Sequence, residues 1–271
     1  MDLQTAREAL LSFLSEPLSE TDGIFSRFSQ LPGAVYVEGK KPNQRYLFVP
    51  GKNENPVLLT AHVDTVWDKN YKGVDRPADF DIKESYVVSK REKVGIGADD
   101  RAGCAALWLL RDSGNSLLLI DGEENSHIGA SFLTKNRKLL KRINDHAFIM
   151  SFDLWGKDGY MFHAVKNPKC FADLLDSAGY NRHKEDGGSD IFYLCKKAAG
   201  VNVSIGYQNE HKATETVSIE DFYHCVCLAE NLLKSVDRKY KIPILIRIYK
   251  FIRHRIALIV KPIIRKIKKR T

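Results

Sequence analysis

Residues 56–64 have the sequence PVLLTAHVD, in which an apolar run typical of a buried strand ends directly at His62 and Asp64. Three more apolar runs lead into residues that can bind metal: SLLLI (116–120) into Glu123 and Glu124, HAFIMS (146–151) into Asp153, and VNVSIG (201–206) into His211. Continuous apolar runs of this length are typical of parallel strands buried on both faces. The pattern therefore predicts a sheet that brings polar side chains together at the ends of its strands.

Helical patterns separate these runs. They cover residues 4–15, 20–31, 102–112, 127–142, 168–179, 189–199 and 218–236, and a hairpin-like pair of strands is expected at 34–39 and 45–51. This alternation predicts an α/β fold, a single three-layer domain with a mixed, mostly parallel sheet flanked by helices. The only predicted boundary follows the last helix and divides the chain into a body, residues 1–238, and a basic tail, residues 239–271.

A fifth segment, GIGADDRAG (95–103), places Asp99 and Asp100 on a glycine-rich turn before a helix. Together with the strand ends it supplies two imidazoles and several carboxylates, a donor set that favours zinc or another borderline divalent ion. One carboxylate can bridge two such ions. The residue types alone thus predict a metal site at the carboxyl ends of the strands.

The order of these segments resembles that of the co-catalytic zinc exopeptidases, the clan of bacterial leucyl aminopeptidases, tripeptidases, zinc carboxypeptidases and acetylornithine-type deacylases. The matching pieces span residues 57–220: LLTAHVDTV, GIGADDRAG, LIDGEENSHIGA, SFD and NEHKATETVS. The resemblance implies two zinc ions, with cobalt or manganese as substitutes, and it implies a role for each matching residue. Asp99 would bridge the ions, His62 and Asp153 would complete one ligand shell, Glu124 and His211 would complete the other, Glu123 would be the general base, and Asp64 would orient His62.

The spacing also distinguishes this chain from larger members of the clan. Some carry a lid or dimerisation domain between the counterparts of Asp153 and His211, where this chain has 57 residues. Others carry a β-domain between the counterparts of Asp64 and Asp99, where this chain has 34. We therefore expect a compact member without a lid.

Several of the candidate site residues also have a purely structural interpretation. Asp64 could cap a turn, Glu123 and Glu124 could stabilise a helix N-terminus, and His211 lies in a polar stretch typical of a solvated loop. The element Gly187–Asp190 resembles a GGSD element of the clan and is equally consistent with a helix start. His163 and Tyr207 are weaker candidates for substrate contact. The other histidines are predicted to be structural or at the surface: His127, His146, His183, His224 and His254.

The charge distribution singles out the tail. Residues 239–271 carry 12 of the 42 Lys and Arg and no acidic residue, so the formal net charge of +8 becomes −4 for the rest of the chain. Residues 244–270 predict a basic amphipathic helix, with Ile on one face and Lys or Arg on the other. Attachment to an anionic membrane surface and packing on the body or in a homodimer both fit this pattern, and nucleic-acid binding fits it poorly.

The remaining composition bears on location. The five cysteines form no paired C-x-x-C motif, and the N-terminus has neither a basic start nor a cleavage site, so a cytoplasmic protein with reduced thiols is expected, with peripheral attachment to the membrane through the tail. The predicted function is that of a metal-dependent hydrolase of peptide or related amide bonds, an aminopeptidase-like exopeptidase acting on a small peptide. A deacylase of N-acyl amino acids or amino sugars is the alternative within the clan, and a catalytically silent, membrane-tethered binding protein is the alternative outside it.

Overall fold

The computed structural model describes residues 1–67, 79–185 and 187–248. Its strands are β1 (Val35–Glu38), β2 (Arg45–Val49), β3 (Leu58–His62), β4 (Phe80–Lys83), β5 (Tyr86–Ser89), β6 (Ser116–Ile120), β7 (Ile149–Leu154), β8 (Gly159–Met161), β9 (Asn181–Arg182), β10 (Gly200–Ser204), β11 (Tyr207–Gln208) and β12 (Thr216–Ser218). Its helices are α1 (Leu3–Leu14), α2 (Asp22–Ser29), α3 (Ala98–Leu109), α4 (Ile128–Leu133), α5 (Arg137–Ile143), α6 (Lys169–Ser177), α7 (Ile191–Leu194) and α8 (Ile219–Lys234).

The main sheet has eight strands in the order β1-β2-β6-β3-β7-β10-β8-β9. Its centre, β6-β3-β7-β10, is parallel, whereas β1-β2, β2-β6 and β10-β8 pair in antiparallel fashion. Every residue of β3, β6 and β10 is buried, as expected for strands covered on both faces. The prediction of an α/β fold with a mixed, mostly parallel sheet is confirmed.

The side chains of the central strands alternate between two apolar layers. In β6, Leu117 and Leu119 join a cluster built with α1, α2, α3, α6 and α8, while Leu118 and Ile120 join a second cluster built with α4, α5 and α7. This alternation follows from the two-residue period of a strand. It places helices on both faces and leaves the carboxyl ends of the parallel strands open at one edge.

A second, four-stranded sheet, β11-β12-β5-β4, was not predicted. Its pairing of β12 with β5 joins segments more than a hundred residues apart in the chain, and β4 and β5 fall in a region where the sequence shows no long apolar run. This sheet flanks the strand ends and positions the loop that follows β11.

Two predicted helices were wrong in extent. The helix expected at 127–142 is divided into α4 and α5, and the Asn136 side chain caps α5 by accepting a hydrogen bond from the Leu139 N–H (3.1 Å). The helix expected at 189–199 is reduced to the four residues of α7. The chain beyond α7 is instead held by Asn144, whose side-chain oxygen accepts hydrogen bonds from the N–H groups of residues 196, 197 and 198.

Residues 240–242, beyond α8, lie against the body. The Tyr240 N–H donates to the Ala147 carbonyl (2.7 Å), and Tyr240 and Ile242 are buried. Of the tail, residues 249–271 lie outside the described residues, so the amphipathic helix at 244–270, its partner and the domain boundary stay predictions. Within the described ranges we find no helix long and apolar enough to cross a membrane.

Candidate metal centre

The carboxyl ends of β3 and β7 bring the first group of predicted ligands together. His62 is the last residue of β3, and Asp153 lies near the end of β7, which pairs with β3 in parallel. The Nε2 atom of His62 lies 3.0 Å from Oδ1 of Asp99 and 3.4 Å from Oδ1 of Asp153. Three candidate donor atoms therefore face one another across a space that is nearly closed to solvent.

The second group is built on the turn after β6 and the loop after β11. The Nε2 atom of His211 lies 2.9 Å from Oε1 of Glu124 and 3.1 Å from Oδ2 of Asp99. Asp99 thus directs one carboxylate oxygen at each group. This arrangement is the one that a carboxylate bridging two cations requires.

Asp100, next to Asp99, also lies within reach of His62 and Asp153. Both of its oxygens, however, accept backbone hydrogen bonds, Oδ1 from the Gly103 N–H (2.8 Å) and Oδ2 from the His62 N–H (3.2 Å). Because these bonds use Asp100 to hold the backbone, Asp99 is the better candidate for the bridge.

The electrostatics of the site favour positive charge. Burial opposes the imidazolium form of His62, but hydrogen bonds to Asp153, Asp64 and Asp99 raise its pKa well above the usual range. Hydrogen bonds to Asp99 and Glu124 raise the pKa of His211 to about 11. Burial raises the pKa of Asp153 to about 6. A cluster that holds protons this tightly has surplus negative charge, and the two His and three carboxylates fit a pair of divalent cations.

Asp64 holds the turn that carries the two adjacent glutamates. Its carboxylate accepts hydrogen bonds from the N–H groups of Gly122 (2.7 Å), Glu123 (3.1 Å) and Glu124 (3.2 Å), and its carbonyl accepts one from His62 Nδ1 (3.0 Å). Asp64 is buried, but the His62 imidazole, whose Nδ1 lies 3.5 Å from Oδ1 of Asp64, and the backbone N–H groups keep the pKa of Asp64 below the usual value despite the burial. The side chain therefore ties the ends of β3 and β6 together, in addition to lying beside His62.

Glu123 is in a different environment from Glu124. Its Oε1 atom lies 3.2 Å from Nδ1 of His127, which in turn lies 3.0 Å from Oδ1 of Asp190. Burial raises the pKa of Glu123 to about 9, and the nearby carboxylates act in the same direction. Cations bound at the neighbouring ligands would favour its ionised form. A buried carboxyl beside a metal site is the arrangement that proton transfer needs.

Sequence reasoning missed two residues that support the ligands. Glu215 is 1% exposed, and its carboxylate accepts hydrogen bonds from the N–H groups of Gly97 (2.8 Å) and Asp99 (3.0 Å). The Asn202 side chain on β10 accepts a hydrogen bond from the Asp153 N–H (2.9 Å) and donates one to the Asp153 carbonyl (2.6 Å). Glu215 lies in a polar stretch, where one more carboxylate is not unusual. Asn202 is a polar residue within an apolar strand, and this contrast is the only signal in the sequence that could have identified either residue.

The chain is similar in structure to the aminopeptidase PepT from Bacillus cereus, with a TM-score of 0.61 and 15% identity over 87% of this chain and 99% of that one. It is similar to a tripeptidase from Staphylococcus aureus, with a TM-score of 0.62 and 14% identity over 87% and 99% of the two chains. An Acidobacteriales bacterium glutaminyl cyclase gives a TM-score of 0.56 and 15% identity over 86% and 92%. The chain therefore shares the α/β fold of these proteins.

The likeness confirms the predicted resemblance at the level of the fold. No protein-family model and no curated protein matches the chain. A glutaminyl cyclase beside two peptidases shows that proteins of this fold carry out more than one reaction, so the fold alone does not determine the reaction.

Several of the candidate ligands open into a cleft of about 280 Å³. Its lining includes Asp99, Glu123, Asp153 and His211, together with the residues Leu154, Trp155, Met161, His163, Gly187, Gly188, Tyr207 and Glu210. The two weaker candidates for substrate contact, His163 and Tyr207, therefore both lie at the cleft. Its walls combine apolar and aromatic side chains with a few polar groups, as is usual for a site that binds a small molecule.

Proposed function

We propose that the chain is a metal-dependent hydrolase that cleaves a peptide or related amide bond, acting as an aminopeptidase-like exopeptidase on a small peptide. The observation that carries the proposal is the placement of Asp99, whose two oxygens face His62 and His211 separately. A cleft opens over these residues, and the Glu123 carboxyl lies in its wall. The structural neighbours that are peptidases support the same conclusion.

The residues that would hold two zinc ions are those of the two groups. His62 and Asp153 would bind one ion, Glu124 and His211 the other, and Asp99 both; cobalt or manganese fits the same donors. When bound, such ions lower the pKa of a water molecule and polarise a carbonyl group.

The chain's own residues supply the proton transfer. The Glu123 carboxylate takes a proton from the attacking water and returns it to the departing nitrogen. Asp64 fixes the backbone of Glu123 and Glu124, so that the base and the ligand keep their relative positions while the proton moves. Burial of Glu123 excludes bulk water from this exchange.

The experiment is metal analysis combined with turnover on two libraries, aminoacyl peptides and N-acyl amino acids. We expect about two zinc equivalents in the wild type and loss of both metal and turnover in Asp99→Ala. Glu123→Gln should keep its zinc and lose about 100-fold or more in kcat. Glu92→Gln, an exposed carboxylate on a loop, is the matched control.

The outcomes separate the alternatives. Turnover of the N-acyl library alone would replace the exopeptidase by a deacylase of the same mechanism. Zinc binding with no turnover on either library would favour a binding protein, and wild type that binds no divalent ion after reconstitution would refute the metal-dependent hydrolase.

A further inference from the structure

His127, beside Glu123, contacts two carboxylates through its side chain and a carbonyl through its backbone N–H. Nδ1 of His127 lies 3.0 Å from Oδ1 of Asp190 and 3.2 Å from Oε1 of Glu123, and the His127 N–H donates to the Glu123 carbonyl (2.9 Å). The side chains of Glu123 and Asp190 are 15% and 6% exposed. Two carboxyl groups this close and this buried need a donor between them, and a proton on Nδ1 can be shared by both.

The packing around the imidazole fixes its orientation. The ring of Tyr193 lies against it, with centroids 5.2 Å apart. On the cleft side, a Cβ atom built on Gly188 would lie 2.9 Å from Nε2 of His127. The ring is therefore confined on both sides, and Gly188, itself a lining residue of the cleft, leaves the room that the ring needs.

His127 has the left-handed backbone conformation, with φ of 55° and ψ of 39°, immediately before α4. This conformation is uncommon for residues other than glycine, although asparagine, aspartate and histidine adopt it more often than the rest. It turns the chain so that the imidazole points back at the turn holding Glu123. The sequence pattern gave no reason to separate this histidine from the others, because Asp190 lies 63 residues further along the chain.

We propose that His127, held by Asp190, is a positioning residue that orients the Glu123 carboxylate toward the cleft. The inference rests on the proposed function, in which Glu123 carries the proton. His127 itself touches no reacting atom in this role. Its Nδ1 atom, 3.2 Å from Oε1 of Glu123, restrains the orientation of that carboxylate, and the hydrogen bond to Asp190 (3.0 Å) keeps the donor on Nδ1.

Two substitutions by residues of similar size distinguish the effect of the hydrogen-bond donor from the effect of the imidazole ring. His127→Asn places an amide N–H at the same number of bonds from Cα as Nδ1, whereas His127→Asp replaces the donor by a third carboxylate. Asparagine and aspartate both tolerate the left-handed backbone. We expect His127→Asp to lose about 100-fold in kcat with KM little changed, and His127→Asn to recover most of that loss.

Gly188→Ala is an independent perturbation, because its methyl group would displace the imidazole without changing either bonding partner. It should lower kcat in the same direction, and it keeps the test valid if His127→Asp fails to fold. The control is His224→Asp, an exposed histidine on α8. Zinc content and thermal unfolding of every variant complete the comparison.

Failure of this proposal can be told apart from failure of the proposed function. The Nδ1 proton of His127 can be observed by NMR in the ¹⁵N-histidine-labelled full chain, and its resonance should shift in Glu123→Gln and exchange faster in Asp190→Ala. Wild type that is inactive on both libraries refutes the proposed hydrolase function. The NMR result then shows whether His127 still contacts Glu123 and Asp190. Active wild type with unchanged kcat in His127→Asp and Gly188→Ala overturns the positioning role. So does a fall in kcat that merely follows loss of zinc.

Discussion

Replacing Glu215 by glutamine should weaken both the fold and the metal centre. The Glu215 carboxylate is buried and accepts three hydrogen bonds: Oε2 from the Gly97 N–H (2.8 Å) and the Trp67 indole N–H (3.3 Å), and Oε1 from the Asp99 N–H (3.0 Å). It therefore holds the backbone of Asp99, the proposed bridging ligand. Glutamine has nearly the same shape but only one oxygen.

The expected magnitude follows from this count of donors. The amide oxygen of Glu215→Gln can replace Oε2 and keep two donors, which leaves the amide NH₂ facing the Asp99 N–H. A buried N–H without an acceptor costs about 1–3 kcal/mol. The neutral amide also removes a buried charge, which offsets part of that cost, so we expect the free energy of unfolding to fall by about 1–2 kcal/mol. Zinc affinity should fall about 10- to 100-fold, because Asp99 loses its fixed position.

The assay is urea unfolding of the metal-free chain together with zinc titration against a chelator. Burial raises the pKa of Glu215 to about 7, so the measurements belong above pH 7, where the wild-type side chain is ionised. Glu92→Gln, on an exposed loop, should change stability by less than about 0.5 kcal/mol. If Glu215→Gln matches the wild type in both unfolding free energy and zinc affinity, Glu215 does not position Asp99.

Two further predictions concern the same centre. Asp64→Asn should leave the Glu124 N–H facing an amide NH₂, which lowers the free energy of unfolding by about 1–3 kcal/mol and weakens zinc binding. The control Asp112→Asn, at a side chain that is 86% exposed, should have neither effect. Equal urea midpoints for the two variants would contradict this prediction. Because carboxylates hold the pKa of His62 well above its usual range and that of His211 at about 11, each zinc ion must displace a proton near neutral pH. Affinity should then rise roughly tenfold per pH unit for each proton released, and calorimetry in buffers of different ionisation enthalpy should count those protons; no release would refute the argument.

The parts of the fold that could be predicted from the sequence are those with a local pattern. A buried strand of the kind seen in β3 or β6 is a continuous apolar run, and a polar residue directly after it falls at the sheet edge whatever the rest of the chain does. The convergence of His62, Asp153 and Glu124 needs only that these strands lie parallel and adjacent.

The parts that could not be predicted depend on contacts between distant segments. The second sheet forms when β12 pairs with β5, and that pairing brings Glu215 to the turn before α3. His127 begins a short helix in a region whose pattern suggested one long helix, and its partner Asp190 lies in a segment that is helical for only four residues. Neither contact leaves a periodic signal, since each depends on a single side chain.

The backbone around the site is held by three carboxylates outside the proposed ligand set. Asp64 links the turn after β6 to the end of β3, and Asp100 links the start of α3 to His62. Glu215 links the start of α3, at Asp99, to the second sheet. In each case the acceptor is buried and the donor is a backbone N–H, the kind of bond that gives the strongest positional restraint. Because these bonds come from residues outside the proposed ligand set, variation in the cleft walls can change the substrate without disturbing the proposed ligands.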